Sequence, residues 1–212
     1  MNHTLPAFSG AVLAGGSSRR MGSDKSVLKV GGRPMAAIGR DALVGAGAAE
    51  VLAVGGDTAA LAALGFSPLA DRWPGEGPLG GVIVALHEAR YDVVVVLACD
   101  LPRIEAAAVT ALVRGLGDAD AAVPTVDGRA QVLVAAYRRA CAGALEEARA
   151  GGVRRLRDAV RGLRVADVAL ADPDWVRNVN QPADLERLGQ LEGDGQSVSP
   201  LQRHPDERSH HG

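Results

Sequence analysis

Seven consecutive apolar residues, Val93 to Cys99, are followed at once by Asp100-Leu101-Pro102. A run this short, rich in β-branched residues and free of polar alternation, reads as a central strand (Tyr91 to Cys99) buried on both faces. Such a strand needs helices packed against each side, so the rest of the chain has to supply two outer layers. Pro102 withholds a backbone donor and biases Leu101 away from helix, so the chain turns immediately after Asp100. The carboxylate is thereby fixed at the carboxyl end of a buried strand, the edge at which open α/β sheets bind ligands.

A second strand ends in the same way. The apolar stretch Phe8 to Leu13 stops at Ala14-Gly15-Gly16 and passes into Ser17-Ser18-Arg19-Arg20-Met21-Gly22-Ser23-Asp24-Lys25. Without a Cβ, Gly15, Gly16 and Gly22 can take positive φ and bring backbone N–H groups close to phosphate oxygens, while Arg19, Arg20 and Lys25 supply charge. The chemistry suggested is that of a nucleoside triphosphate. Neither the Walker pattern nor G-x-G-x-x-G fits, which removes the fingerprint a dinucleotide-dependent oxidoreductase needs.

The remaining pattern alternates strand and helix. Val27 to Val30 reads as a short extended piece, Gly31-Gly32 as a hairpin-like turn, and Pro34 opens a helix to about Val44. Glu50 to Val54 is a strand, Gly55-Gly56-Asp57 a turn with a helix cap, and Thr58 to Leu64 a short helix stopped by Gly65. Ser67 to Ala70 is extended and reaches Asp71. The segment 71–81 carries four glycines and two prolines, so regular structure resumes only with a helix near Leu79. Beyond Asp100 come a helix from Glu105 to about Leu116, a strand from Ala121 to Pro124, a turn at Asp127-Gly128, and Ala130 to Tyr137 as its antiparallel continuation. Arg138 to Ala150 and Val153 to Val160 are helical, Leu163 to Val168 is the last strand and Pro182 to Leu191 the last helix. From Glu192 polar residues with Gly, Ser and Pro dominate, so a single domain over 1–191 followed by a disordered tail, 192–212, is expected. Short connections between alternating elements predict an α/β fold with a mainly parallel sheet.

A formal net charge of −2 over 212 residues gives no general attraction to nucleic acid or anionic membranes, so any anion site has to be local. No apolar run approaches the ~20 residues that span a bilayer, and residues 1–7 lack a signal-peptide pattern, so the expected location is cytoplasmic. The two cysteines, Cys99 and Cys141, lack disulfide or metal-site spacing, and Cys99 at the end of its apolar run is expected to be a buried, inert thiol.

Leu-Ala-Gly-Gly at 13–16, Arg19-Arg20-Met21-Gly22, Asp24-Lys25 and the Cys99-Asp100-Leu101-Pro102 setting together resemble the molybdenum cofactor guanylyltransferases. These belong to the wider nucleotidyltransferases that activate sugars, alcohols and pterins. Asp71, Gly77-Pro78-Leu79-Gly80 and Asn178-Val179-Asn180-Gln181-Pro182 extend the resemblance over roughly residues 9 to 190. It implies a Rossmann-like three-layer α/β/α nucleotidyltransferase fold. GTP would lie against Leu13, Ala14, Gly15, Gly16, Lys25, Asp71, Gly77, Pro78, Leu79 and Asp100. It implies Lys25, Asp100 and Arg19 as catalytic residues, Asp100 as the ligand of Mg2+, and Asn178 and Asn180 as contacts for molybdopterin or Mo-molybdopterin. Arg154 and Arg155 fall near basic residues that relatives direct towards the acceptor phosphate, with solvated charges the equal alternative. Two departures stand out: Glu76 is an additional residue in the Pro-Gly-Pro-Leu context, and Gly55-Gly56-Asp57 replaces a segment that can carry a base-contacting Asn.

The reaction implied is transfer of GMP from GTP to the phosphate of molybdopterin, with release of pyrophosphate. Molybdopterin-handling proteins and molybdoenzymes are the implied protein partners. Two other readings remain open on the residues: a relative that uses CTP or another phosphorylated acceptor, and a nucleotide-binding module without turnover.

Overall fold

The strand Val93–Ala98 (β6) sits fourth in a seven-stranded sheet and is buried on both faces. Taken across the sheet, the strands are Val165–Asp167 (β11), Ala121–Val123 (β7), Val134–Arg138 (β10), β6, Phe8–Leu13 (β1), Glu50–Val54 (β4) and Ser67–Leu69 (β5). Within this sheet β10 alone runs antiparallel to its neighbours and every other pairing is parallel, while Lys29–Val30 (β2) and Arg33–Pro34 (β3) form a separate antiparallel hairpin before the first helix. This computed structural model describes residues 4–15 and 29–178, all within the unit Met1–Val179. The glycine-loop residues Gly16 to Leu28, Asn180, the expected helix Pro182 to Leu191 and the expected tail lie outside the described residues.

The period-two geometry of β6 explains why its sequence does not alternate. Val93, Val95 and Leu97 enter one core with Phe8, Val12, Leu43 and Leu112, while Val94 and Val96 enter a second with Leu13, Ile83, Leu86 and Leu145. Helices Met35–Gly45 (α1) and Ala106–Gly115 (α4) cover the first face. Helices Pro78–Glu88 (α3), Cys141–Ala150 (α5) and Leu156–Val160 (α6) cover the second. Each such Val or Leu, fully buried, contributes about 1.5–3 kcal/mol, so the two cores fix strand order and register together. The short helix Thr58–Ala63 (α2) links β4 to β5 and starts where the Asp57 carboxylate accepts from the backbone N–H groups of Ala59 and Ala60 at 2.9 and 3.0 Å.

Three expectations need correction. The stretch Ala130 to Tyr137 is not one strand: Thr125–Val126 (β8) and Arg129–Ala130 (β9) form their own small hairpin, and β10 begins only at Val134. The Gln131 N–H donates to the Pro124 carbonyl, and the Val134 N–H to that of Gln131, so a tight turn replaces the ladder between the two pieces. The helix expected from Arg138 starts at Cys141, because Arg138 still belongs to β10, where it pairs with Val93 of β6. Cys99 is only partly buried, whereas Cys141 is buried and donates to the Asp120 carbonyl at 3.3 Å. Burial pushes the Cys141 thiol up to about 11, so Cys141 is the inert one. A short 3-10 helix, Pro173–Val176, was not foreseen; Asp172 caps it through the Asp174 N–H. Among the described residues no helix is long and apolar enough to cross a membrane.

Candidate active site

Parallel register brings the carboxyl ends of four strands to one edge. Leu13 of β1 is level with Val54 of β4 and Ala98 of β6, and Val54 with Leu69 of β5. Gly15, Gly55, Asp71 and Asp100 each stand one or two residues beyond those ends, in the strand order β5, β4, β1, β6. At about 4.8 Å per strand, the row from Asp71 to Asp100 spans roughly 14 Å.

The centre of that row is backbone. The N–H groups of Ala14 and Gly15 both donate to the Val54 carbonyl, at 2.9 and 3.0 Å, and the Gly55 N–H donates to Leu69 at 2.9 Å. Gly15 does not take the positive φ expected of it; close approach is what requires glycine there, since a Cβ would lie 3.3 Å from the Gly55 Cα. Gly55 does have positive φ, +76°, and a Cβ on it would meet the Gly15 Cα at 2.7 Å. Asp71 closes this end. One carboxylate oxygen accepts from the Trp73 N–H at 2.9 Å, and the other lies 3.7 Å from the Cβ position of Gly15.

The loop from Asp71 leads to the N-terminus of α3, with Gly77 as cap and Pro78 at the first helical position. Pro78 lacks the N–H that would be left without a partner there, and the next amides point their partial positive charge towards the sheet edge. Leu79 is buried at 1% exposure and Leu13 at 7%, so any contact they make with a ligand is through backbone. Glu76 pairs with Arg149 at the end of α5 at 2.5 Å.

At the other end, Asp100 follows β6 in a turn, and its Oδ1 atom is shut off from solvent. The chain next to it is tied down: the Ala98 N–H donates to Leu133 at 2.8 Å, and Arg103 Nη1 reaches Asp174 Oδ2 at 3.3 Å. The second contact ties the 3-10 helix, and hence the approach to Asn178, to the loop that carries Asp100. Asn178 lines a cavity of about 480 Å³ with Val126, Asp127, Arg129, Gln131, Val176 and Arg177. Arg129 and Arg177 were not singled out from the sequence; only their place beside the β8–β9 hairpin and the 3-10 helix brings them to Asn178. Arg154 is not part of this cavity, and its Nη1 donates to the Arg149 carbonyl at 2.9 Å.

A hard cation suits Asp100, a carboxylate with one buried oxygen. Among the described residues no three His, Cys, Asp or Glu side chains converge on a metal position. A Mg2+ ion at Asp100 would take its other ligands mainly from phosphate and water, as this ion commonly does. Arg19, Lys25, Gly16 and Asn180 lie outside the described residues.

The fold and the row of residues along its edge define a nucleotidyltransferase. The profile of the MobA-like NTP transferase domain matches residues 10–178, and the chain belongs to that family. It is 33% identical over 189 residues to a probable molybdenum cofactor guanylyltransferase of Bacillus licheniformis, an alignment covering 84% of this chain and 94% of the relative. The corresponding protein of Chloroflexus aggregans is 36% identical over 191 residues, covering 84% and 92%. The crystal structure of molybdopterin-guanine dinucleotide biosynthesis protein A from Archaeoglobus fulgidus has the same fold, with a TM-score of 0.70 at 24% identity over 88% of this chain and 99% of that one.

Proposed function

We propose that this chain transfers GMP from GTP to the phosphate of molybdopterin or Mo-molybdopterin, forming the guanine dinucleotide cofactor and pyrophosphate. The observation that carries the reading is the row Asp71, Gly55, Gly15, Asp100 along the carboxyl ends of β5, β4, β1 and β6, with the Asn178 cavity on the same edge. The names of the relatives point to the same chemistry.

In this reading the base end of GTP lies towards Asp71 and the cap of α3, and the triphosphate lies over the glycine loop. An oxygen of the acceptor phosphate forms a bond to the α-phosphorus, and the bond from that phosphorus to the bridging oxygen breaks as pyrophosphate leaves. The acceptor is already anionic, so no protein base has to remove a proton. Alignment and charge neutralisation are what remain for the protein to supply. Lys25 and Arg19 carry positive charge to the phosphates, and the loop amides add further donors. Asp100 would hold Mg2+, which supplies charge neutralisation on the triphosphate when bound. Asn178 and Asn180 offer both donors and acceptors to the pterin, and Arg129 and Arg177 bring positive charge to the same cavity.

A pyrophosphate-release assay with molybdopterin and a panel of triphosphates tests donor, acceptor and turnover together. GTP should be used at least about tenfold better than CTP, a difference that needs only ~1.4 kcal/mol of differential binding in the transition state. Equal use of CTP would remove the guanine assignment and leave the class of reaction. GTP binding with no release from any acceptor would favour a module without turnover.

A further inference from the structure

We propose that Arg149 is a positioning residue for nucleotide binding, acting from α5 through Trp73 and Glu76 on the loop between β5 and α3. The proposal rests on the nucleotide reading given above. Its basis is a clamp that neither the sequence motifs nor the family match assigns.

The guanidinium of Arg149 lies 4.0 Å from the centre of the Trp73 ring, and its Nη2 donates to Glu76 Oε2. The Arg149 side chain is only 18% exposed. A guanidinium that is stacked and paired at once has little freedom left, which a lysine in its place would not reproduce. Trp73 passes the constraint on in two directions. Its ring lies against α3, where a Cβ on Gly80 would come within 3.0 Å of Cε3. Its N–H holds Asp71 Oδ1 at 2.9 Å. Arg154 is tied to the same helix end, its Nη1 donating to the Arg149 carbonyl at 2.9 Å. Glu76 is the anchor of the clamp on the loop.

The helix itself does not depend on this clamp. Leu79, Val82, Ile83 and Leu86 of α3 are almost fully buried in the core under it. The loop 71–77 has no residue fully buried in that core; besides the clamp it is held by the partial packing of Trp73 and by Arg72 Nη2 donating to Glu88 Oε1 at 2.9 Å, so loss of Arg149 should loosen Asp71 and the α3 cap while leaving the fold in place.

The experiment uses the full chain, with Mg·GTP binding by calorimetry and steady-state kinetics on Arg149→Ala and Glu76→Gln. Arg149→Ala should weaken GTP binding and raise the KM for GTP about tenfold, in line with a partly buried cation–π contact combined with an ion pair. Its kcat at saturating GTP and its KM for the acceptor should stay within about twofold, which separates positioning of the nucleotide from a general structural loss. Should the alanine variant fold poorly, Arg149→Met keeps most of the packing stem, and it should show the same GTP defect at wild-type melting temperature. The double variant should be no worse than Arg149→Ala, since both changes break one clamp. GTP affinity within twofold of wild type in a folded Arg149 variant overturns the proposal and leaves the nucleotide reading standing; so does a loss confined to kcat. Additive losses in the double variant overturn the route through Glu76. A wild-type chain that binds no nucleoside triphosphate overturns the reading and the proposal together.

Discussion

Gly55 passes Gly15 so closely that a Cβ on Gly55 would lie 2.7 Å from the Gly15 Cα and 2.9 Å from its nitrogen. Backbone stands on both sides of this contact, so neither partner can rotate away. Gly55→Ala adds the strain of φ +76° to that overlap and should cost about 2–4 kcal/mol in urea unfolding. Gly15→Ala, whose nearest obstacle is 3.3 Å away and whose φ is not positive, should cost about 1 kcal/mol. Equal losses for the two would show that the turn after β4 yields.

Asp120 and Arg164 form a bidentate pair that ties the starts of β7 and β11 together, with Nε at 3.1 Å and Nη2 at 2.7 Å. The backbone N–H of Arg164 adds a third contact at 2.9 Å. These bonds, the side-chain ones foremost, hold the Asp120 carboxyl below its usual 3.8. A carboxyl depressed in the folded state stabilises above its unfolded value and loses that contribution as pH falls through the folded one. Asp120→Asn should therefore melt lower than wild type at neutral pH, with the gap closing as pH drops below 3.8. Thermal melts across that range check it, and a constant gap would mean that charge is not the origin.

What could be read along the chain was whatever a single segment encodes. β4 was expected over Glu50 to Val54 and is found there, and Asp57 caps α2 as its position before Thr58 suggested. β6 declared its double burial through an unbroken apolar run. The relations between segments were another matter. Nothing local in Gly55-Gly56 announces that Gly15 will press against it, because that contact joins loops from two adjacent strands 40 residues apart. The break at Gln131 to Leu133 was hidden because its residues suit a strand; it follows from the Tyr137 hydroxyl donating to the Val132 carbonyl at 2.6 Å, and from the bonds to Pro124 and Gln131. Arg149, in the last turn of a helix, looks by sequence like a solvated cation facing the helix dipole, and only the fold brings Trp73 beneath it.

In the proposed reading Asn178 belongs to the acceptor half of the site. It lines the cavity with Gln131, Arg129 and Arg177, away from the Gly15 and Asp71 end of the row. Asn178→Ala should raise the KM for molybdopterin by about tenfold, the loss of one or two hydrogen bonds to a buried ligand, and leave GTP affinity within about twofold. An equal fall in GTP affinity would assign Asn178 to the nucleotide half.

The remaining prediction rests on Asp100. Its place at the end of β6 is fixed by the core, and Oδ1 is withdrawn from water, so a change of charge there cannot be made good by solvent. Asp100→Asn keeps the size of the side chain and one acceptor oxygen while removing the negative charge that favours a divalent cation. Charge stabilisation of this kind is worth about 3 kcal/mol or more in the transition state, so pyrophosphate release should fall at least about a hundredfold. Circular dichroism should show the fold intact, because Val93 to Leu97 stay buried whatever stands at position 100. Isothermal titration then distinguishes the causes. A variant that binds GTP without Mg2+ as wild type does, yet gains nothing when Mg2+ is added, places the metal at Asp100. A variant that keeps most of the wild-type rate places it elsewhere, and the carboxylate is then part of the turn before Pro102.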